Sequence, residues 1–214
     1  MSGSKLIEHQ NLRDKIYLYI KEAILNHDLR EGERINLDAV ASEAGVSKTP
    51  LREAMVRLER EGFVVSVPRG GTFVREISEK EMRETYEIRE ALEALAVRLA
   101  AKRLDREKLD ELAETCRSFE RALLEKDIRL CHQNDLRFHR LLAEASGNER
   151  LTVMMETVHR HFSILISRNP EYWSRADTSL RDHFAILEAL SKGDGDGAAQ
   201  ILGEHIKRGK EFLF

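Results

Sequence analysis

The sequence predicts a mainly α-helical protein in two domains: an N-terminal helical unit that carries a small β-hairpin, and a C-terminal antiparallel bundle of about six helices. Three observations predict it. Only three prolines occur in 214 residues. Charged residues make up 34% of the chain, and Leu, Ala, Glu and Arg recur at helical spacing. One short stretch, from Phe63 to Val74, is rich in β-formers and is split by Pro and Gly. With 42% apolar residues the chain can fill two modest cores. The expected domains are residues 1–77 and 78–214.

The first helix is read over Leu12 to Asn26, where Ile16, Ile20, Ala23 and Ile24 repeat at the period of an amphipathic helix. A polar run, His27 to Arg34, follows it. Leu37 to Ala44 forms a second, short helix, and Gly45 supplies the left-handed residue that ends it. Ser47 stands where it can cap a third helix, with Pro50 in its first turn. Helix, tight turn and helix is an arrangement that reads DNA. The third helix, Ser47 to Glu61, turns Ala54, Leu58 and either Val56 or Met55 inward. Lys48, Thr49 and Arg52 are left at its exposed start, where a recognition helix meets the major groove.

Phe63–Val65, a turn over Ser66–Gly71, and Thr72–Val74 then make a hairpin, the wing of a winged helix-turn-helix. Arg69 at its tip suits a minor groove, and Gly70 lets backbone approach phosphate closely. The bland reading is a solvated hairpin tip. Charge favours the first reading. The net charge is −3, and residues 1–77 hold 12 basic against 12 acidic groups, yet Ser47 to Arg75 holds six basic against three acidic. Any nucleic-acid surface is therefore local.

The segment LDAVASEAGVSKTPLREAMVRLEREGFVVSVPRGGTFV resembles the DNA-binding domain of the GntR family over about forty residues. The resemblance implies that Lys48, Thr49 and Arg52 approach bases and phosphates, with Arg69 and Gly70 contributing from the wing. Lys48 stands where the family usually has arginine. A lysine lacks the two-pronged donor that grips guanine, so base selection there softens. Asp38 stands where some branches place an arginine, which removes a contact at that position.

Ser78 and Glu81 form a capping box that opens the second domain, and its first helix carries a stripe through Ile88, Leu92, Leu95, Ala96 and Leu99. Further helices are read over about 106–125, 127–145, 148–167, 178–190 and 198–212. Breaks fall at Lys126, Ser146-Gly147, Asn169-Pro170 and the run Gly193 to Gly197. Cys116 and Cys131 form no CxxC pair and are read as buried, reduced thiols.

Four polar residues stand out in this bundle. Asp135 and His139 are four apart and share a helical face. His183 and His205 flank the Gly-rich turn at nearly equal distances, so a helical hairpin brings them level. One carboxylate and three imidazoles at one height suit a divalent cation with positions open to an outside ligand: zinc first, nickel or manganese after it. Any one of these histidines, taken alone, is more ordinary as a core or surface residue. His161 falls on an inward stripe with Met154, Val158 and Leu165 and is the weaker candidate. His132 and His159 have no such support.

EIREALEALAVRLAA, NDLRFHRLLAEASGN, RDHFAILEAL and GEHIKR resemble the FCD ligand-binding domain of the FadR branch, and six helices fit its VanR-type subdivision. In its metal-binding members the ligands are an Asp, a His four later, and two His on the last two helices. Asp135, His139, His183 and His205 match these. The resemblance also implies that Arg89 points into the cavity to pair with a carboxylate effector and that Asn134 lies beside the metal. The ordinary alternatives are an Arg89 that snorkels or bridges Glu93, and an Asn134 bonded to backbone.

The expectation is then a cytoplasmic, homodimeric transcription regulator, acting as a repressor on a palindromic double-stranded DNA operator and answering a small organic or sugar acid. No signal peptide is read near Met1–Gln10, and no stretch approaches the roughly 20 apolar residues of a membrane span. Two alternatives stand beside it: a metal-dependent enzyme, for which the chain offers no HExxH or nucleophile motif, and a helical domain that only dimerises.

Overall fold

The computed structural model describes residues 3–25, 28–43, 45–167 and 174–213. It divides into two compact units, Met1–Ser78 and Glu79–Phe214. Asn26, Ala44 and the break at Asn169-Pro170 lie outside the described residues.

In the first unit α1 (Gly3–Leu25) begins nine residues before the expected start, followed by β1 (Arg34–Ile35), α2 (Leu37–Glu43), α3 (Lys48–Arg60), β2 (Val64–Val67) and β3 (Gly71–Val74). Ile16, Tyr17, Ile20 and Ile24 of α1 are buried, as are Leu51, Ala54, Met55 and Leu58 of α3, and the two helices pack together. Between Val56 and Met55, the structure chooses Met55; Val56 is exposed. Asn36 rather than a charged residue starts α2: its Oδ1 accepts from the backbone N–H groups of Asp38 and Ala39, both at 3.1 Å. Ser47 occupies the N-cap of α3 in extended geometry, but its side chain makes no capping bond.

The hairpin is present, with Val64 opposite Val74 and Val67 opposite Gly71, so β2 runs further than expected and the turn shrinks to residues 68–70. A third strand, β1, begins at Arg34, the last residue of the supposed polar run, and includes Ile35 beyond it. Arg34 pairs with Phe73 and Ile35 with Thr72, giving the sheet order β1-β3-β2. Two residues in one pairing are too few to show a period of two in the sequence. Gly71, at φ 112°, is needed here: a Cβ would lie 2.8 Å from Arg34 Nε.

Among the described residues, six α-helices form the second unit: α4 (Glu79–Ala100), α5 (Arg106–Leu124), α6 (Ile128–Ala145), α7 (Glu149–Ser167), α8 (Ala176–Ser191) and α9 (Gly195–Leu213). Phe119, Phe138, Phe162, Leu112, Leu142, Ile186 and Leu202 fill its core. Asp105 and Asp127 cap α5 and α6, accepting from the N–H groups of Lys108 and Leu130 at 2.9 Å. The Gly-rich run does not delay α9 until Ala198. Asp194 Oδ1 accepts from Gly197 N–H at 2.8 Å, so the helix starts inside the run, and Gly195 lets it approach Ala101, just past the end of α4, where a Cβ would sit 2.9 Å away.

The face of α4 differs from the expected stripe. It buries Tyr86, Arg89, Glu93, Ala96, Val97 and Ala100, while Ile88 (51% exposed) and Leu95 (43%) face outward. Two charges can lie inward because they satisfy each other, as described below. On α7 the inward residues are Leu151, Met155, Val158, His159 and Phe162; Met154 is exposed and His161 only half-buried. This corrects the expected stripe by one position and brings His159 in. No described helix is long and apolar enough to cross a membrane.

Candidate metal centre and nucleic-acid interface

α6 places Asp135 and His139 on one face, and the α8–α9 hairpin brings up His183 and His205. One ligand atom from each of the four lies within 4.8 Å of all the others. All four side chains are buried, Asp135 and His183 completely. His183 Nε2 is 3.5 Å and His139 Nε2 4.0 Å from Asp135 Oδ1. The ring of His183 stacks on Phe138, centroids 4.1 Å apart, which fixes its plane.

Both Asp135 oxygens and both His183 nitrogens are buried without a hydrogen-bond partner. Leaving such a group unsatisfied costs about 1–3 kcal/mol, more for a charged one. Orphaned carboxylate oxygens beside an orphaned imidazole nitrogen, within a group of four that each offer one ligand atom, are the mark of a site built to bind something. A divalent cation fits the donor set, with one carboxylate and three imidazoles.

Protonation states suit this chemistry. Burial, and then the neighbouring His205, His139 and Arg89, push the His183 imidazole well below its ordinary pKa. Burial also lowers His139, against the pull of Glu93. Both rings are therefore held neutral, as ligands must be. Two outer carboxylates orient the rings. His139 Nδ1 donates to Glu93 Oε2 at 2.5 Å, and His205 Nδ1 to Asp182 Oδ2 at 3.2 Å, which leaves the Nε2 lone pair of each ring as its acceptor. Arg208 anchors Asp182 at 2.7 Å. Burial alone would raise the Glu93 carboxyl, but Arg89 and His139 beside it hold it well below the usual carboxylate range.

Arg89 is one of the two charged residues that α4 turns inward. It is 1% exposed, donates from Nε to Glu93 Oε1 at 2.6 Å, reaches His139 Nε2 with NH2 at 3.0 Å, and lies over the Phe162 ring at 3.7 Å. It thus bridges Glu93, as its alternative reading had it, but inside the bundle rather than in solvent. Asn134 is buried on α6, its amide donating to Leu130 O at 2.8 Å. His161 stands outside the four-residue group.

Sequence reasoning missed Glu93, Asp182 and His159 as parts of the site. His159 Nε2 lies 3.4 Å from Glu93 Oε1. A signal for Glu93 existed: Arg89, Glu93, Ala96 and Ala100 fall at core spacing along α4, and two charges at such positions need partners.

In the first unit, Lys48, Thr49 and Arg52 are exposed at the start of α3. Lys48 and Arg52 share a concave face with Arg34, Asn36 and Thr72, which adds a cation from β1 that the sequence reading left out. Lys48 Nζ pairs with Asp38 Oδ1 at 2.7 Å, and this bond lowers the Asp38 acid. Arg69 holds the hairpin tip at φ 62°, exposed, and Gly70 N–H donates to Val67 O at 2.9 Å. Arg57, one of the six cations in the basic stretch, is engaged internally: its Nε donates to Glu61 Oε1 at 3.0 Å, NH1 reaches Asp14 at 3.2 Å, and the guanidinium covers the Tyr17 ring.

Comparison with known proteins supplies the context. Residues 12–74 match the bacterial regulatory proteins of the gntR family, and residues 84–208 match the FCD domain. YdhC of Bacillus subtilis (strain 168), an uncharacterized HTH-type transcriptional regulator, is 33% identical over 93% of this chain and 89% of its own length. The HTH-type transcriptional repressor RspR of Escherichia coli (strain K12) is 24% identical, over 92% of this chain and 87% of its own. Among solved structures, E. coli McbR/YncC superposes with a TM-score of 0.79 at 24% identity, covering 94% of this chain and 96% of that one.

Proposed function

Since this chain belongs to the GntR family of regulators, with an FCD domain behind its winged helix-turn-helix, and is a DNA-binding transcription regulator rather than an enzyme, we propose that a small carboxylate bound at a divalent metal in the helical domain controls its operator affinity. The observation that carries this reading is the buried cluster of Asp135, His139, His183 and His205 with its orphaned polar atoms. Asp135, His139, His183 and His205 would hold the ion, zinc first, with nickel or manganese as the other fits. When bound, it supplies a Lewis-acid anchor for an anionic oxygen.

Lys48, Thr49 and Arg52 would enter the major groove, and Arg69 with Gly70 would follow the minor groove. The protein would act in the cytoplasm as a homodimer on a palindromic operator, because two-fold symmetry in the protein is mirrored in the half-sites. Support for pairing comes from Ile88 and Leu95, two large apolar side chains one face of α4 leaves exposed. Repression is the favoured sense, since RspR is named a repressor. Effector binding alters operator affinity only through its different affinity for the two states of the protein.

Elemental analysis of tag-free protein tests the metal. About one equivalent per chain is expected in the wild type, and none in a His183→Ala, His205→Ala variant. Wild-type protein that is metal-free and does not take up zinc, nickel or manganese would overturn the reading and leave a regulator whose effector site lies elsewhere.

A further inference from the structure

We propose that Phe138 is the positioning residue of His183: the face of its ring does for that imidazole what an outer carboxylate does for His139 and His205. The proposal rests on the metal reading above and adds to it the group that presents the third imidazole.

The imidazoles of the cluster are held in two ways. Nδ1 of His139 is bonded to Glu93 at 2.5 Å and Nδ1 of His205 to Asp182 at 3.2 Å, and each bond fixes a tautomer and a ring orientation together. Neither nitrogen of His183 has a hydrogen-bond partner among the described residues. Its Nε2 is turned to Asp135, 3.5 Å away, so another support must keep that nitrogen aimed at the cluster. Phe138 supplies it. The two rings lie 4.1 Å apart and 12° from parallel, and both side chains are completely buried. Phe138 also precedes His139 on α6, and its ring stands perpendicular to that imidazole, at 5.8 Å and 86°. One benzene ring thus lies flat on one ligand and upright to the next, which holds His139 and His183 at 83° to each other.

Ring electrostatics favours the metal-bound imidazole over the free one. The face of benzene is negative, and a neutral aromatic ring gains little from lying flat on it, since offset or edge-on arrangements are preferred. An imidazole that gives its lone pair to a dication becomes electron-poor, and the benzene face then attracts it as it attracts a cation.

The test measures zinc affinity, by competition with a chromophoric chelator, in wild type, in Phe138→Met, and in protein with Phe138 replaced by mono-, tri- or pentafluorophenylalanine. Fluorination withdraws the negative charge of the face and keeps the ring, so the packing of the core is preserved. Circular dichroism checks that each protein is folded. Leu142→Ala, a core substitution one turn along α6, controls for loosened packing. Zinc affinity should fall stepwise along the fluorinated series, reaching about tenfold at the pentafluoro ring, and by about as much in Phe138→Met. Leu142→Ala should stay within about twofold of wild type. Cobalt(II) bound in place of zinc should show an altered visible spectrum in Phe138→Met and an unaltered one in Leu142→Ala. Fluorinated proteins that bind zinc as the wild type does, or a Leu142→Ala protein weakened as much as Phe138→Met, would overturn the positioning role and leave the metal site standing. A wild type that takes up neither zinc nor cobalt overturns the site and the positioning role together.

Discussion

Burial decides the chemistry of single residues in the helical unit. Cys116 and Cys131 are free and buried, and burial pushes their thiols up to about 12 and about 11. Neither forms thiolate near neutral pH, so both should resist iodoacetamide at pH 8 until the protein unfolds; rapid labelling of the folded chain would contradict this. His132 shows the opposite sign. Burial, partly offset by Asp135, lowers it to about 4 from an ordinary 6.5. Because the unfolded chain protonates this ring first, its contribution to stability is present above pH 6.5 and is lost as the pH falls towards 4. Proton NMR of the folded, metal-stripped protein should show His132 neutral down to about pH 4; a midpoint near 6.5 would refute its half-buried placement. The same balance of burial and partners explains what the sequence could reveal about the site. Asp135 and His139 were legible because a helix stacks residues four apart, and His183 with His205 because a tight hairpin levels them. Glu93 and Asp182 were not, because an outer carboxylate is recognised only by the ring nitrogen it meets in space. His159 was missed because α7 turns one position from the stripe read off its apolar residues.

Elements were legible where a period or a cap ran long enough. α3 carried its amphipathic pattern and its exposed cations openly, and the hairpin was marked by its Pro and Gly. β1 was hidden, since a two-residue strand owes its existence to the partner strand and not to its own pattern. Its discovery has a consequence for DNA binding, because Arg34 joins Lys48 and Arg52 on one concave face. Each cation that neutralises a phosphate contributes about 0.9 to the slope of log affinity against log salt. Arg34→Ala should therefore lower that slope by about one and weaken all sequences alike. A change in sequence preference with an unaltered slope would show that Arg34 meets a base instead. Lys48 faces a different balance, since it must exchange Asp38 for a DNA acceptor. An exposed pair of this kind contributes little, so Asp38→Ala should raise DNA affinity only modestly, by up to about fivefold. A loss of affinity, measured by fluorescence anisotropy, would show that Asp38 itself contacts the DNA.

For the whole molecule, the account joins a DNA-reading unit to a sensing unit through symmetry and ligand linkage. The α4 face that kept its charges inside left Ile88 and Leu95 outside, and a second copy is the proposed cover. Ile88→Glu with Leu95→Glu should shift the protein from dimer to monomer in light scattering and weaken operator binding, while zinc content stays at one per chain. A doubly substituted protein that remains dimeric would move the interface to another face. The central claim is that a carboxylate bound at the Asp135, His139, His183 and His205 site controls the DNA complex. The most direct measurement is the anisotropy of an operator selected from random duplex DNA, with zinc-loaded protein, across a panel of small organic and sugar acids. The account predicts that one class of acid shifts operator affinity for the wild type by tenfold or more and leaves the His183→Ala, His205→Ala protein unmoved. An acid that shifts both proteins equally would contradict it.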